Sequence, residues 1–441
     1  MPRTQSTKNT QSSRGTKSGE GPENSKEPKN SNEPKNAKGT RSARSTSRAL
    51  LAAALLLGVA AGPTVLSATT ATAASPTAAT WSQSSARTDP GLATAMEAAI
   101  AGLPSADATA ALVRVGGSEG VWRGSSGVRD LTSGRAADPE GRFRAGSVTK
   151  VFTAAVVLQL AAEGKIDLDR SARSYLPELI PASYGGVTVR QLLDHTHGIP
   201  APDFPWTTVE GAYANRFQIH DPEEMVRSAT AKEPEFAPGD EQHYLNIGYT
   251  VAALIVERVT GDTYEDQLAR RVLRPLGLRD TYVPGADPRI IGPHNHGYQR
   301  MTLDDGTTGL RDVTVWGATD AWASGDLVST TADLERFTKA LFRGRVVPRG
   351  PVLEEMFTVP EVPDHTTGRP AEYAVGLARK VLGGREVWGK TGGRWGYNSA
   401  IASTRDGSRT LVYSVNSTDA KGSSMNKVAM NVMVAAYGMP S

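Results

Sequence analysis

The 441-residue chain is 39% hydrophobic, carries a formal net charge of +3 and contains no cysteine. This length is sufficient for a large hydrophobic core, and the absence of cysteine excludes disulfides, thiol nucleophiles, iron–sulfur clusters and thiolate zinc sites. The positive charge is concentrated in residues 1–48, which hold eleven basic and four acidic residues. The remainder is therefore mildly acidic, and we expect no nucleic-acid partner.

The first 88 residues differ in composition from the rest of the chain. Residues 1–48 are rich in Ser, Asn and Lys and hold little apolar surface to bury, which predicts a disordered basic extension. Residues 49–73 are uncharged, begin with an apolar run and end at Ala71-Thr72-Ala73, which predicts a cleaved secretory signal peptide; an uncleaved signal anchor is the alternative. With residues 74–88 as a linker and 89–441 as the folded domain, we expect a secreted protein without a stable membrane anchor.

The folded region begins with a helix and two strands. Apolar residues at helical spacing predict a helix from Pro90 to Leu103, and strand patterns follow over 110–116 and 119–128. The hydrophobic period then changes, and residues 142–164 are predicted to contain a long, largely buried helix that ends at Gly164.

The middle and the end of the chain have different patterns. Residues 167–342 are rich in proline and in short helical patterns, such as those over 189–195 and 246–260. Strand patterns then return in two pairs, and an apolar helix closes the chain; these elements cover 374–381, 385–391, 399–403, 410–416 and 425–437. Strands at both ends and helices between them predict an α/β (α+β) fold, with one antiparallel sheet flanked by helices and an inserted all-helical lobe.

A serine and a lysine lie three residues apart at the start of the long helix, in Ser147-Val148-Thr149-Lys150. Residues at this spacing share one face of a helix. A desolvated lysine can accept the serine proton, and the free N–H groups of a helix N-terminus can bind an oxyanion. The alternative is a capping serine beside a solvated lysine, but the apolar run after Lys150 favours a pair directed toward the interior.

Two further short motifs carry groups suited to the same chemistry. Tyr244 and Asn246 precede an apolar helix; a phenol between cations can ionise and shuttle protons, and an amide can bind a substrate carbonyl. In Lys390-Thr391-Gly392, the lysine and threonine can bind an anionic substrate end, and the glycine lets a substrate backbone approach the strand. A loop tyrosine, a capping asparagine and a sheet lysine are the alternatives for each motif alone.

The three motifs together, in this order and in these contexts, match the S-x-x-K, Y-x-N and K-T-G set of penicillin-recognising enzymes. Nearly all of residues 89–438 resembles the class C β-lactamase-related serine hydrolases, and most of all the secreted serine D-alanyl-D-alanine carboxypeptidases. The resemblance is densest over five segments: 143–150, 158–169, 188–198, 237–246 and 389–397.

The resemblance implies a role for each matching residue. Ser147 would be acylated, with Lys150 and Tyr244 transferring protons; which of the two is the principal base stays open. The backbone N–H groups of Ser147 and Gly393 would form the oxyanion hole. Asn246 would hold the substrate amide. The substrate carboxylate would face Lys390 and Thr391.

The chain departs from the carboxypeptidases it most resembles at several positions. These enzymes carry His at the position of Lys390, whereas β-lactamases carry Lys there, as this chain does. They also carry a hydroxyl residue where this chain has Gly393. They also bind the substrate carboxylate with an arginine on the preceding strand, a place for which Ala378 and Arg379 compete here. Arg394 is a third candidate for this contact.

The remaining polar and aromatic candidates are assigned structural roles. The two H-x-H pairs, His195/His197 and His294/His296, lack a third ligand at a suitable spacing, so we expect neither a metal site nor a cofactor. Trp316 and Trp322 are expected to pack in the cleft wall rather than to recognise substrate. Asp320 and Asp326 are expected to lie on the solvated surface.

These observations predict a monomeric serine hydrolase that acts on D-alanyl-D-alanine ends of peptidoglycan stems and is inhibited by β-lactams. A class C-like β-lactamase and a serine esterase are alternatives that use the same serine. A non-catalytic protein that binds penicillin or peptide is the alternative outside the enzymes.

Overall fold

The computed structural model describes residues 89–438. The predicted extension, signal peptide and linker therefore lie outside the described residues, as does the end of the predicted domain beyond residue 438. Over residues 89–438, none of the helices is both long enough and apolar enough to cross a bilayer.

Within residues 89–438, six of the ten strands form one antiparallel sheet in the order β2-β1-β10-β9-β8-β7. The remaining four form two short pairs, β3 with β6 and β4 with β5. The strands are β1 (Ala108–Gly116), β2 (Trp122–Gly127), β3 (Phe143–Arg144), β4 (Tyr298–Thr302), β5 (Thr308–Asp312), β6 (Val328–Ser329), β7 (Ala378–Leu382), β8 (Arg385–Arg394), β9 (Tyr397–Thr404) and β10 (Thr410–Ser417). Because β1 pairs with β10, with Val113 opposite Tyr413, the main sheet is built from both ends of the folded region, as predicted.

Most of the α-helices lie between β3 and β7, in the middle of the chain. All the α-helices of the described residues are α1 (Pro90–Ala99), α2 (Thr149–Ala162), α3 (Ala172–Tyr175), α4 (Val189–Asp194), α5 (Val209–Ala214), α6 (Pro222–Thr230), α7 (Ile247–Thr260), α8 (Tyr264–Leu268), α9 (Arg274–Leu276), α10 (Thr331–Phe342), α11 (Pro351–Glu354) and α12 (Lys427–Tyr437). The hairpin of β4 and β5 also lies in this middle region and was not predicted from the sequence, since its second strand is largely exposed and lacks an apolar face.

Helices cover both faces of the main sheet. On one face, α1 and α12 contribute Met96 and Val432 to a core shared with β1 and β10. On the other face, Phe152 of α2 stacks on Phe337 of α10, with ring centroids 3.7 Å apart. Residues 149–158 of α2 are all buried, which is expected of a helix enclosed on every side. The sheet and the helical region thus meet along α2.

The start of α2 differs from the prediction. The chain forms β3 at Phe143–Arg144, turns through a short 3-10 segment at Gly146–Val148, and becomes α-helical only at Thr149. Gly146 has a positive φ of 53°, and a Cβ at this position would lie 2.7 Å from the backbone nitrogen of Gly393. A regular helix from residue 142 would abolish this close approach between the turn and β8. The predicted helix began too early, because the contact between Gly146 and β8 joins segments that are distant in the chain.

Candidate active site

Ser147 lies on the 3-10 turn between β3 and α2, half-buried and directly before the helix. The turn is held from both sides. The Thr149 hydroxyl donates to the Gly146 carbonyl at 2.7 Å and accepts from the Leu327 amide at 3.1 Å. A strained or flexible turn would leave the serine oxygen free to move, whereas these bonds fix its position relative to α2.

Lys150 is fully buried one helical turn after Ser147 and makes three polar contacts. Its Nζ lies 3.4 Å from the Ser147 Oγ, 2.6 Å from the Asn246 Oδ1 and 2.9 Å from the Ser324 carbonyl oxygen. A neutral amine has two N–H groups and one lone pair. With the two hydrogens directed to the Asn246 and Ser324 acceptors, the lone pair is left for the Ser147 hydroxyl.

The surroundings of Lys150 favour its neutral form. Burial lowers the pKa of Lys150 well below its ordinary value, and the positive charges of Lys390 and Lys421 lower it further, against a smaller opposing effect of Asp326. Burial and cationic neighbours thus both favour the neutral amine, the form that can accept a proton from the serine.

Tyr244 and Asn246 reach the same place from the segment before α7. Lys150 Nζ and Lys390 Nζ lie 5.0 and 4.5 Å from the centroid of the Tyr244 ring. Burial raises the pKa of Tyr244 well above its ordinary value, more than Ser147 lowers it, so the phenol keeps its proton. Tyr244 thus lies between two lysines, as the motif predicts, and burial is the largest effect on its pKa. Asn246 does not cap α7; its side chain binds Lys150 instead.

The third motif lies on β8, next to the Ser147 turn. Lys390 is buried and donates to the Thr391 carbonyl at 2.9 Å, and burial lowers its pKa to about 7. A Cβ at Gly392 would lie 1.9 Å from the Ala145 carbonyl oxygen, so glycine is required for β8 to approach the turn. The Ser399 hydroxyl of β9 donates to the same carbonyl at 2.7 Å. This packing brings Gly393 beside the turn that carries Ser147.

The arginines considered for carboxylate binding are engaged elsewhere. Arg394 is buried, and its guanidinium binds both oxygens of Asp320, at 2.9 and 2.5 Å. Ala378 pairs with Gly389 and Arg379 with Trp388, which settles the register that the sequence left open. Arg379 is exposed and forms an ion pair with Glu386.

The sequence analysis misplaced two acidic residues. Asp320 and Asp326 were expected on the solvated surface, but Asp320 pairs with buried Arg394, and Asp326 lies in the loop below Lys150. The Oδ2 of Asp326 accepts the Ala323 amide at 3.3 Å, and its Oδ1 is buried without a partner among residues 89–438. Burial raises the pKa of Asp326 to about 7. Because Ala323 has a positive φ of 57°, Asp326 stabilises an unfavourable turn next to Ser324, the residue whose carbonyl binds Lys150.

Lys421 is a further residue of the cleft that the sequence did not indicate. It lies in the loop between β10 and α12, with its Nζ 5.9 Å from the centroid of the Trp395 ring. The residue is exposed, but desolvation by the surrounding protein and the charge of Arg394 lower the pKa of its amine to about 8. It influences the charge of Lys150, although no motif marks it in the sequence.

The tryptophans and the H-x-H pairs have packing contacts. Trp316 stacks on Trp395, and the indole N–H of Trp322 donates to Glu265. The buried ring of His195 lies 4.4 Å from that of Tyr244, and burial lowers its pKa well below the ordinary value. His195 thus supports the tyrosine as a neutral side chain.

Comparison with known proteins gives matches along most of the described chain. The model of the family described as "Beta-lactamase" matches residues 96–432. Among solved structures, the chain is similar to a D-stereospecific amidohydrolase from Streptomyces sp., with a TM-score of 0.68 and 30% identity, over 79% of this chain and 99% of that one.

The chain is also similar to a penicillin-binding protein and to an esterase. Penicillin-binding protein 4* of Bacillus subtilis is 25% identical over 307 residues, which are 67% of this chain and 65% of the relative. Esterase EstB of Burkholderia gladioli is 32% identical over 192 residues, which are 40% of this chain and 47% of the relative. The matched regions thus span from about half to just under two thirds of these two relatives.

Proposed function

Because this chain belongs to the beta-lactamase family and is a serine hydrolase, we propose that it releases the terminal D-alanine from peptides ending in D-alanyl-D-alanine, through an acyl-enzyme on Ser147. The observation that carries the proposal is the arrangement of a buried Lys150 whose two N–H groups have protein acceptors and whose lone pair is left for Ser147. Peptidoglycan stem peptides are the proposed substrates, and β-lactams the proposed inhibitors.

In the acylation step, the Ser147 oxygen attacks the carbonyl carbon of the penultimate D-alanine while its proton passes to Lys150. The carbonyl oxygen becomes negatively charged and accepts hydrogen bonds from the backbone N–H groups of Ser147 and Gly393. The C–N bond then breaks, and the leaving nitrogen takes a proton from Tyr244, which recovers one from Lys150. The products are an ester on Ser147 and free D-alanine.

Deacylation reverses the direction of proton transfer. Water adds to the ester carbonyl and gives a proton to the Lys150–Tyr244 pair, and Ser147 leaves with that proton restored. The raised pKa of Tyr244 supports its role as a donor, and the lowered pKa of Lys150 supports its role as an acceptor.

Recognition of the substrate carboxylate is proposed for two lysines. Among the described residues, neither Lys390 nor Lys421 forms an ion pair with an acidic side chain, and both influence the charge of Lys150. Cations without an acidic partner are available to an anionic ligand. Thr391 and Asn246 are the neighbouring hydroxyl and amide groups proposed to hold the substrate.

A second candidate is hydrolysis of D-amino acid amides that lack a terminal carboxylate. It is favoured by the engagement of Arg394 with Asp320, which removes the arginine fork best suited to a carboxylate. The Streptomyces structure is described as a D-stereospecific amidohydrolase, which is the same reaction class.

Turnover of two matched peptides separates the candidates: diacetyl-Lys-D-Ala-D-Ala and its C-terminal carboxamide. Preferential release of D-alanine from the acid supports the carboxypeptidase, and equal or better cleavage of the carboxamide supports the amidase. Cleavage of p-nitrophenyl esters alone indicates an esterase, and rapid loss of a fluorescent penicillin label indicates a β-lactamase. Labelling without turnover of any substrate would contradict both amide-hydrolysis proposals and indicate a binding protein.

We also propose that the protein is exported after cleavage near residue 74 and acts as a monomer. N-terminal sequencing of the protein from culture medium and its sedimentation mass test these two points. Full-length chain retained in membranes would contradict the first, and a larger mass the second.

A further inference from the structure

Two histidines and a glutamate converge close to the segment that carries Tyr244, since one of the histidines is the preceding residue, His243. One donor atom each of Glu235, His243 and His365 lies within 4.8 Å of the other two. We propose that these three side chains bind a divalent transition-metal ion of the zinc class. The inference is independent of the proposed function, because none of the three side chains is assigned to the reaction.

The donor chemistry selects the class of metal. Two imidazoles and one carboxylate suit Zn²⁺, Ni²⁺, Co²⁺ and Cu²⁺, whereas Mg²⁺ and Ca²⁺ prefer sets made only of oxygen. Zn²⁺ takes such ligands at about 2.0–2.2 Å, so donors up to 4.8 Å apart come within reach by small side-chain rotations. Three protein ligands on a partly exposed surface leave a fourth position for water.

One contact beside the ligands resembles those of protein metal sites. The Nδ1 of His365 lies 2.6 Å from the Oε2 of Glu241, which is not one of the three ligands. A carboxylate on one ring nitrogen orients the imidazole, fixes its tautomer and leaves the other nitrogen free for a metal, so Glu241 is the residue that orients His365. The Nδ1 of His243 lies 2.5 Å from the Glu235 Oε2, so these two proposed ligands are already in contact. The two imidazole centroids are 5.1 Å apart.

The backbone already joins the segments that carry the ligands. The Gln242 amide donates to the Pro363 carbonyl, and the His365 amide donates to the Gln242 carbonyl, both at 2.9 Å. A metal ion would add a side-chain link to this pair of bonds. In a chain without cysteine, such a link serves the purpose that a disulfide serves elsewhere.

The link would support one wall of the active site without entering it. His243 directly precedes Tyr244, and the buried Gln242 side chain donates to the Tyr373 carbonyl at 2.9 Å. The Tyr373 ring in turn lies 4.7 Å from that of Tyr244. We therefore expect metal binding to raise the unfolding temperature and to change turnover little.

Zinc binding to the untagged protein tests the proposal. After chelator treatment and dialysis, titration calorimetry with Zn²⁺ is expected to give one site per chain, together with an increase in the unfolding temperature. His365→Ala and Glu235→Gln are expected to lose this site. Glu241→Gln, which keeps all three ligands, is expected to weaken binding by about 10–100-fold.

His296→Ala is the matched control. His296 also pairs its Nδ1 with a carboxylate, at 2.6 Å from the Asp312 Oδ2, but it belongs to no three-ligand cluster among the described residues. The control is expected to bind Zn²⁺ as the parent does. Absence of stoichiometric binding in the parent, or equal binding by the parent and His365→Ala, would overturn the proposal. Circular dichroism of each metal-free variant verifies its fold independently.

Discussion

Two sides of the site differ in whether their charged groups have protein partners. The inner side is Lys150 with its contacts, and the outer side is Lys390, Lys421 and Arg394. On the inner side, Lys150 has protein partners at 2.6 and 2.9 Å and depends on no ligand for its position. On the outer side, Lys390 and Lys421 have no acidic partner in the described part of the chain, while Arg394 is neutralised by Asp320. We therefore expect the inner side to determine the reaction and the outer side to determine which substrate undergoes it. The predictions below test this division, beginning with the largest effect.

Removing the nucleophile gives the largest effect. We expect Ser147→Ala to abolish fluorescent penicillin labelling and to lower kcat by about 10⁴-fold or more, because no other group can form the ester. Ser324→Ala is the matched control, because Ser324 contributes its backbone carbonyl to the site, and this variant retains that carbonyl. Labelling and kcat, measured on both variants, are expected to change little in the control. Label that persists on Ser147→Ala would show that the nucleophile is elsewhere.

Removing the base gives the next largest effect. Lys150→Met preserves the length of the side chain and is expected to lower kcat/KM by about 10²–10⁴-fold, the usual contribution of a general base. Because burial and the charges of Lys390 and Lys421 lower the pKa of Lys150, kcat/KM of the parent is expected to fall as the pH drops through that lowered pKa. The variant is expected to lack this acid limb. A pH–rate profile unchanged in shape would assign the limb to another group.

The outer side is expected to act through pH-dependent substrate choice. Lys390, with a pKa of about 7, is cationic below that pH and neutral above it. Loss of a charge-assisted contact costs about 1.5 kcal/mol, so the preference for the D-Ala-D-Ala acid over its carboxamide is expected to fall about tenfold from pH 6 to pH 8. The ratio of the two kcat/KM values measures this. In Lys390→Met the ratio is expected to change less with pH; the same dependence in parent and variant would exclude Lys390 as the carboxylate contact.

The smallest effect is expected from Asp326, which stabilises the turn beside Ser324. Asp326→Ala removes the acceptor of the Ala323 amide, and we expect it to lower the free energy of unfolding by about 1–3 kcal/mol. Asp326→Asn keeps an acceptor oxygen and is the control, with a smaller loss expected.

The two aspartate variants also differ in pH dependence. Because the folded pKa of Asp326 is raised to about 7, its contribution favours the folded state at low pH and is lost as the pH rises from about 4 to 7. Asp326→Asn is therefore expected to gain stability relative to the parent as the pH rises, in urea unfolding measured at pH 5 and pH 8. Equal differences at both pH values would contradict the buried, proton-binding state of Asp326.

The sequence predicted the parts of this molecule that depend on local patterns. The pairing of both chain ends in one sheet, the buried α2 and the convergence of Ser147, Lys150, Tyr244 and Lys390 were all expected from hydrophobic period and motif order. The start of α2 was wrong, because it depends on how closely Gly146 approaches β8.

The charges of the outer side could not be predicted in the same way. Asp320 is half-buried because it pairs with Arg394, far away in the chain. Lys421 comes near Trp395 only through the path of the loop after β10. The cluster of Glu235, His243 and His365 was not predicted for the same reason, since these residues do not form a recognisable spacing in the sequence. Such contacts between distant segments are a property of the tertiary structure.

The pairing of β1 with β10 has a consequence for how activity appears as the chain folds. Strands from opposite ends of a domain close a long loop before they gain contacts, which makes their pairing a slow step. Ser147 precedes this step in synthesis, but β8 and β9, which complete its surroundings, are held in the sheet by β10. Covalent capture of a penicillin by Ser147 would therefore report the final stage of folding, and could time that stage in refolding experiments.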